Sequence, residues 1–479
     1  MTPCLHGHAR RIRASRATNA PERVPLGNRG TCFIGGLFLI IGLLVPVMSR
    51  AEDLVAIYQQ AEVSDPQFKG VEAAHQATLE ALPQARAGLL PQISISSNVA
   101  QNFQDFTREV TVLDPNVGGP TAGGSGDADF LTYGYTLSIT QPIYRHDRFV
   151  QLKQADSRIR QAEAEVGAAR QDLMIRVAER YFEVLAAQDS LEFAQAEKKA
   201  LERQLEQAKQ RFEVGLIAIT DVQEAQAGHD QAVAQAIQAA NQLDNAREAL
   251  REVTSAYPGE LSKLRETIPL VAPEPPDIEQ WTQKALQQNL NIFSARFAAE
   301  TSRQEIERQR SGHLPTLDLV GSHGLRSSGS FDIDLQTEDS IIGLELNVPI
   351  YEGGAVNSRT REAHHLHQQS MEQLEQTRRA AHRQTREAYL GVITGISRVK
   401  ALRQAVVSSQ TAVQATEAGF EVGTRTAVDV VATEREFFRA KRDYARARYD
   451  YTLSTLRLKQ ATGVLSLEDL TIVNGWLTH

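Results

Sequence analysis

Residues 212–222 read FEVGLIAITDV and residues 420–430 read FEVGTRTAVDV. A chain that writes nearly the same eleven residues twice, about 208 positions apart, is built on an internal duplication, and a duplication decides architecture before any local feature does. Phe-Glu-Val-Gly is intact in both copies, and an Asp-Val pair follows at the same offset, Asp221-Val222 and Asp429-Val430. Around each copy lies a long stretch rich in Ala, Gln, Glu and Arg and free of Pro, 148–253 and 355–461. These are strong helix formers. Val166, Leu173, Val177, Tyr181, Val184, Gln188 and Leu191 step by threes, fours and sevens, as do Val392, Ile396, Val399 and Val406. Such a seam predicts coiled-coil-like packing over many turns. At 1.5 Å per residue, about 65 helical residues make a rod of roughly 100 Å.

Gly215 and Gly423 interrupt the two helical patterns, where Gly is the usual residue for a left-handed helix stop. Thr220 or Asp221, and Thr426, are placed to cap the helix that follows. Each phrase therefore predicts the tip of a long helical hairpin. Read alone, Asp221 and Asp429 are equally well explained as cap or solvated first-turn acids.

Four segments obey a different period. Residues 91–103, 131–143, 314–325 and 342–350 alternate apolar and polar positions, with Ile93, Ile95, Val99 and Phe103 on one parity of the first. Period two predicts strands with one apolar face. They form two pairs, each joined by a Gly, Ser and Asp-rich loop, with Pro91, Pro142, Pro315 and Pro349 at the helix-facing ends. About 10 to 13 residues suits a tilted membrane-spanning strand. A soluble sheet packed on helices is the alternative. Two hairpins cannot close a barrel alone, since open edges in lipid leave backbone groups unpaired. Several chains are required, and three copies would give twelve strands. The expected organisation is a first repeat at 52–253 with its strand hairpin at about 91–144 and tip at about 212–221, a Pro-rich linker at 254–280, and a second repeat at 281–479 with its strand hairpin at about 314–351 and tip at about 420–429.

Residues 1–51 carry seven Arg against the single acid Glu22, then an apolar run from Cys32 to Val47 ending in Ser49-Arg50-Ala51. This describes a secretory signal peptide cleaved after Ala51. A retained anchor fits less well, because a spanning helix needs about 20 apolar residues. The basic segment 1–28 is long for such a leader and suggests an over-extended start. Cleavage would remove Cys4 and Cys32, the two cysteines of the chain, and move the formal net charge from −8 to about −14. That balance argues against nucleic acid as a partner.

With EDLVAIYQQAEVSDPQ at 52–67, RFEVGLIAITDVQEAQA at 211–227, GHLPTLDLVGSHG at 312–324, LNVPIYEGGAVNSR at 346–359 and LKQATGVLSLEDL at 458–470, the chain resembles the TolC-type outer-membrane channel proteins over essentially all of 52–479. The resemblance implies a mainly α fold with β, a homotrimer whose twelve-stranded barrel sits in outer-membrane lipid and continues as a periplasmic α-helical barrel. It implies a passive exit duct for efflux pumps or type I secretion, joined by a periplasmic adaptor (membrane fusion) protein to an inner-membrane transporter of RND, ABC or MFS type. Val214-Gly215-Leu216 and Val422-Gly423-Thr424 are similar to the tip motifs that meet the adaptor. Thr220 and Asp221 match outer-hairpin residues held by an inner-hairpin Arg, here Arg425, that keeps the entrance shut. Asp429 matches an acidic ring at the narrowest aperture. The chain departs from the pattern at Ala432, where a second Asp is usual, and at Phe420, where a Tyr joins the entrance bonds. Weaker cation binding and easier opening follow as expectations.

No Walker A, G-x-S-x-G or H-E-x-x-H pattern is present, so no enzyme and no cofactor or metal site is expected. His364 and His367 read as a solvated helix face, and Trp281 and Trp476 as packing or belt residues. A soluble coiled-coil scaffold or an adaptor is the competing class. Neither accounts for two strand pairs alternating with two helical hairpins.

Overall fold

The computed structural model describes residues 52–108, 124–330 and 333–478. The expected signal peptide lies outside the described residues, as do 109–123 and 331–332, which fall within the segments expected to join the strand pairs.

Two helices dominate, α4 (His146–Glu213, 68 residues) and α8 (Ala355–Glu421, 67 residues). Both match the Pro-free stretches, and the seam residues Leu173, Val177, Tyr181, Val184, Val392 and Val399 are buried. Each is followed by a return helix of half its length, α5 (Ile219–Thr254) and α9 (Ala427–Ala461). The strand-side half of α4 is flanked instead by α2 (Pro66–Leu79), α3 (Ala81–Ala87) and α7 (Leu290–Arg310). Gln154 Nε2 donates to Glu305 across α4 and α7 at 3.0 Å, and Ser157 meets Gln304 one turn on. Glu305 is held down to about 2 because hydrogen bonds from Arg308, Gln154 and Gln309 outweigh its burial, the largest single influence, which pushes it up.

The main core lies mid-length, where α1 (Leu54–Ser64) and α10 (Leu467–Asn474) pack with α4, α5 and α9. Leu54, Phe68, Tyr181, Phe182, Leu250, Leu456 and Leu470 are fully buried there. A second cluster gathers Trp281 of α6 (Ile278–Gln288) with Val392, Val399 and Tyr451, and Trp476 packs on it. Both tryptophans therefore pack on the helical core. Irregular residues 255–277 run over α4 and α9, tied by Tyr181 Oη donating to the Ser262 carbonyl at 2.8 Å and by the Val271 amide donating to Tyr451 Oη at 2.8 Å.

The strands β1 (Gln92–Arg108), β2 (Gly124–Tyr144), β3 (Thr316–Ser330) and β4 (Ile333–Asn347) form one antiparallel sheet in that order. They run 17, 21, 15 and 15 residues, longer than the expected 10 to 13. Ladder pairing needs only backbone groups, so it continues past the apolar band, with Gly124–Asp129 opposite Phe103–Arg108. One row runs Ile93, Ile139, Gly321, Ile342 across all four strands. That face carries Ile95, Val99, Phe103, Leu137, Leu344 and Leu346, all exposed. No helix among the described residues covers it, which argues against a sheet packed on its own helices. The opposite face shows Ser94, Ser96, Asn98, Thr136 and Ser138. No helix among the described residues is long and apolar enough to cross a membrane.

Candidate functional site

The two tips are built by the same local rules. At the end of α4, Gly215 takes φ 75°, its amide donates to the Phe212 carbonyl at 2.9 Å, and Leu216 N–H donates to the Arg211 carbonyl at 2.9 Å. At the end of α8, Gly423 takes φ 78°, and the Thr424 amide and hydroxyl both donate to the Gly419 carbonyl, at 2.8 and 3.1 Å. Gly at this position satisfies otherwise orphaned carbonyls without Cβ strain.

Of the capping candidates, Asp221 and Thr426 serve the return helices and Thr220 does not. Thr220 is not a cap; it lies inside α5, whose cap position is Ala218, and the Asp221 carboxylate accepts the Ala218 amide at 3.2 Å. A residue without a side-chain acceptor is thus served by the carboxylate three positions on. Thr426 does cap α9: its hydroxyl accepts the Asp429 amide at 3.3 Å, and the Asp429 carboxylate accepts the Thr426 amide at 3.0 Å. The Thr426 amide, then its hydroxyl, hold the Asp429 carboxyl below its usual range, and the Arg425 charge adds to this.

Val214 (69% exposed), Leu216 (73%) and Val422 (76%) project from the tips with Gly215, Gly423 and Thr424 between them. Arg425 is also exposed, and its side chain folds back over Gly419, where no Cβ obstructs it. Among the described residues, no hydrogen bond or ion pair joins it to Thr220 or Asp221 within the chain. Ala432 is exposed, whereas Phe420 is buried with Ala427 and Val430.

Three contacts between the hairpins were not read from the sequence. Arg211 Nη1 donates to the Phe420 carbonyl at 3.1 Å with its guanidinium 4.5 Å over the Phe420 ring. Arg435 Nη2 donates to the Gly228 carbonyl at 3.3 Å, and Arg442 pairs with buried Glu197 at 3.0 Å. A signal for the first existed, since the residue preceding the repeated phrase is Arg211 in one copy and Gly419 in the other. Of the histidines, His364 lies 3.3 Å from an Arg310 nitrogen and His367 lies 3.3 Å from the Ser302 hydroxyl.

A family model described as outer membrane efflux protein matches residues 57–256 and 281–464. The chain belongs to the outer membrane efflux protein family. It is 38% identical to the outer membrane protein TolC of Vibrio cholerae over 89% of this chain and 94% of that protein. It is 30% identical to the alkaline protease secretion protein AprF of Pseudomonas aeruginosa over 91% and 89%. The solved Campylobacter jejuni CmeC outer membrane channel shares the fold at TM-score 0.71 and 17% identity, covering 89% of each chain. This member of the outer membrane efflux family is an exit duct of the outer membrane, in a family of channel and transport proteins.

Proposed function

We propose that three copies of this chain close their sheets into a twelve-stranded barrel and their helices into a periplasmic tunnel, gated at the hairpin tips. The observation that carries this reading is the sheet: its apolar face is bare, and its edge strands β1 and β4 have no outer partner among the described residues. In lipid, unpaired edges are costly, so closure has to come from further copies. The two halves, 52–253 and 281–479 with 254–280 between them, act as repeats that each supply one strand hairpin and one helical hairpin.

At the entrance, Arg425 bonds Thr220 and Asp221 of a neighbouring chain. Each such bond at an exposed site contributes about 1 kcal/mol or less. Three copies make a latch that contacts from a partner can offset, shifting a closed population to open. Asp429, repeated about the axis, concentrates negative potential and favours cations. The bare Val214, Leu216 and Val422 receive a periplasmic adaptor, which joins the duct to an inner-membrane transporter of RND, ABC or MFS type. The likeness to AprF supports secreted protein as one cargo, beside small-molecule efflux.

The test is single-channel conductance of the membrane-extracted protein in planar bilayers, alongside Arg425→Ala and Asp429→Asn. Small cation-selective steps are expected, larger in the first variant and less selective in the second. Silence from a folded assembly would remove the duct; steps unchanged by Arg425→Ala would keep the duct and sink the latch.

A further inference from the structure

The hairpins meet above the tips through small and apolar residues, Leu201 on α4, Gly228 and Ala232 on α5, and Val431 on α9. One turn beyond Val431 sits Glu434, 8% exposed, with one carboxylate oxygen fully buried and without a hydrogen-bond partner. Buried charge without a partner is costly, and a carboxyl in this position escapes the cost by taking a proton. The charges that act on it come from Glu417 on α8 and from Arg203 and Glu197 on α4, while α5 faces this stretch of α9 with Gly228 and Ala232. Glu197 is already committed to Arg442 of α9. Two acids and one base therefore surround Glu434, and none bonds to its orphaned oxygen.

We propose that Glu434 is a proton-binding switch between the two hairpins: protonated, it lets them close on one another; ionised, it drives them apart. This rests on the reading of the tips as an entrance that opens by separation of the hairpins. Burial first, then Glu417, raises the Glu434 carboxyl from 4.5 to about 7, with Glu197 adding and Arg203 opposing. The closed arrangement thus binds the proton more tightly than a solvated one. Linkage gives the sign: closure is favoured at acid pH and weakens as pH rises from 4.5 to about 7, with no further change above. The separated population rises about tenfold or more across that window. The switch is independent of Asp429, whose carboxylate is ionised throughout it.

The test uses spin labels on exposed Ala227 and Ala432, replaced by Cys in the processed full-length protein, with distances read by double electron–electron resonance from pH 4 to pH 8. The parent should show a longer distance at high pH. Glu434→Gln should hold the short distance throughout, and Glu434→Asp should retain a pH step, which a merely structural carboxylate would not predict. A Gln variant with the parent's step, or a parent with no step, would overturn the proposal. Conductance of the same samples judges the duct separately, so a silent protein with a pH-dependent distance would keep the switch and lose the channel.

Discussion

At Gly215 and Gly423 nothing lies within 4 Å of where a Cβ would stand, yet both residues have φ near 75°. The cost of a side chain there is backbone strain alone, about 1 kcal/mol for Ala. Gly423→Ala should speed hydrogen exchange of the 418–428 amides about fivefold and leave α4 unchanged; an unchanged rate would mean the turn is not held in the left-handed region. Asp429 offers a second prediction at this scale. Its carboxyl is held below the ordinary 3.8 by the Thr426 amide and hydroxyl. A depressed acid contributes to its cap above that ordinary value and loses the contribution as pH falls through the lowered one. Carboxyl NMR should place its midpoint below 3.8, and a midpoint at or above that value would dissolve the cap account. Two acids five positions apart, Asp429 and Glu434, are thus pushed in opposite directions by two amide and hydroxyl donors in one case and by burial in the other.

Among the elements, the sheet gives the clearest contrast. Ile342 and Gly343 are neighbours on β4, but Ile342 stands 87% exposed on the apolar face, while an added Cβ at Gly343 would point the other way into open space. Ile342→Arg should cost about 2–4 kcal/mol of folding stability in bilayers, and Gly343→Arg almost nothing. Urea titration in vesicles reads both, and equal losses would show that the bare face does not meet lipid. The apolar parity was legible in the sequence because period two needs no partner to be recognised. Strand ends were not, since Gly, Ser and Asp at 124–129 pair through their backbones without any side-chain signature. Helix extent was legible from Pro-free composition and the stop at Gly. The choice between Thr220 and Asp221 as the capping group could not be made locally, because α5 begins after Ala218, a residue with no capping group, and only that start places Asp221 three positions on. Arg211 on Phe420 and the burial of Glu434 depend on how two hairpins 200 residues apart meet. No local pattern carries that.

For the whole molecule, the question is how many chains close the sheet. Among the described residues each chain brings four strands in one sheet with both edges open. Two copies would make eight strands, whose interior is just wide enough for side chains to fill, so a passage would be lost. Three copies make twelve and leave a lumen lined by Ser94, Ser96, Asn98, Thr136 and Ser138. The two sheet edges, β1 and β4, must then pair between chains, since no other edges exist in the described sheet. Because Cys4 and Cys32 are the chain's cysteines and precede β1, a Cys placed at Asn98 on β1 reports without interference from the barrel itself. Paired with single Cys substitutions scanned along 335–345 of β4, it should form inter-chain disulfides at a few consecutive same-face positions, and the ladder on a denaturing gel should end at three chains. A ladder that stops at two would require an eight-stranded, side-chain-filled barrel and exclude a duct. A ladder running past three would mean wider closure and a larger aperture than one latch of Arg425 per chain could span.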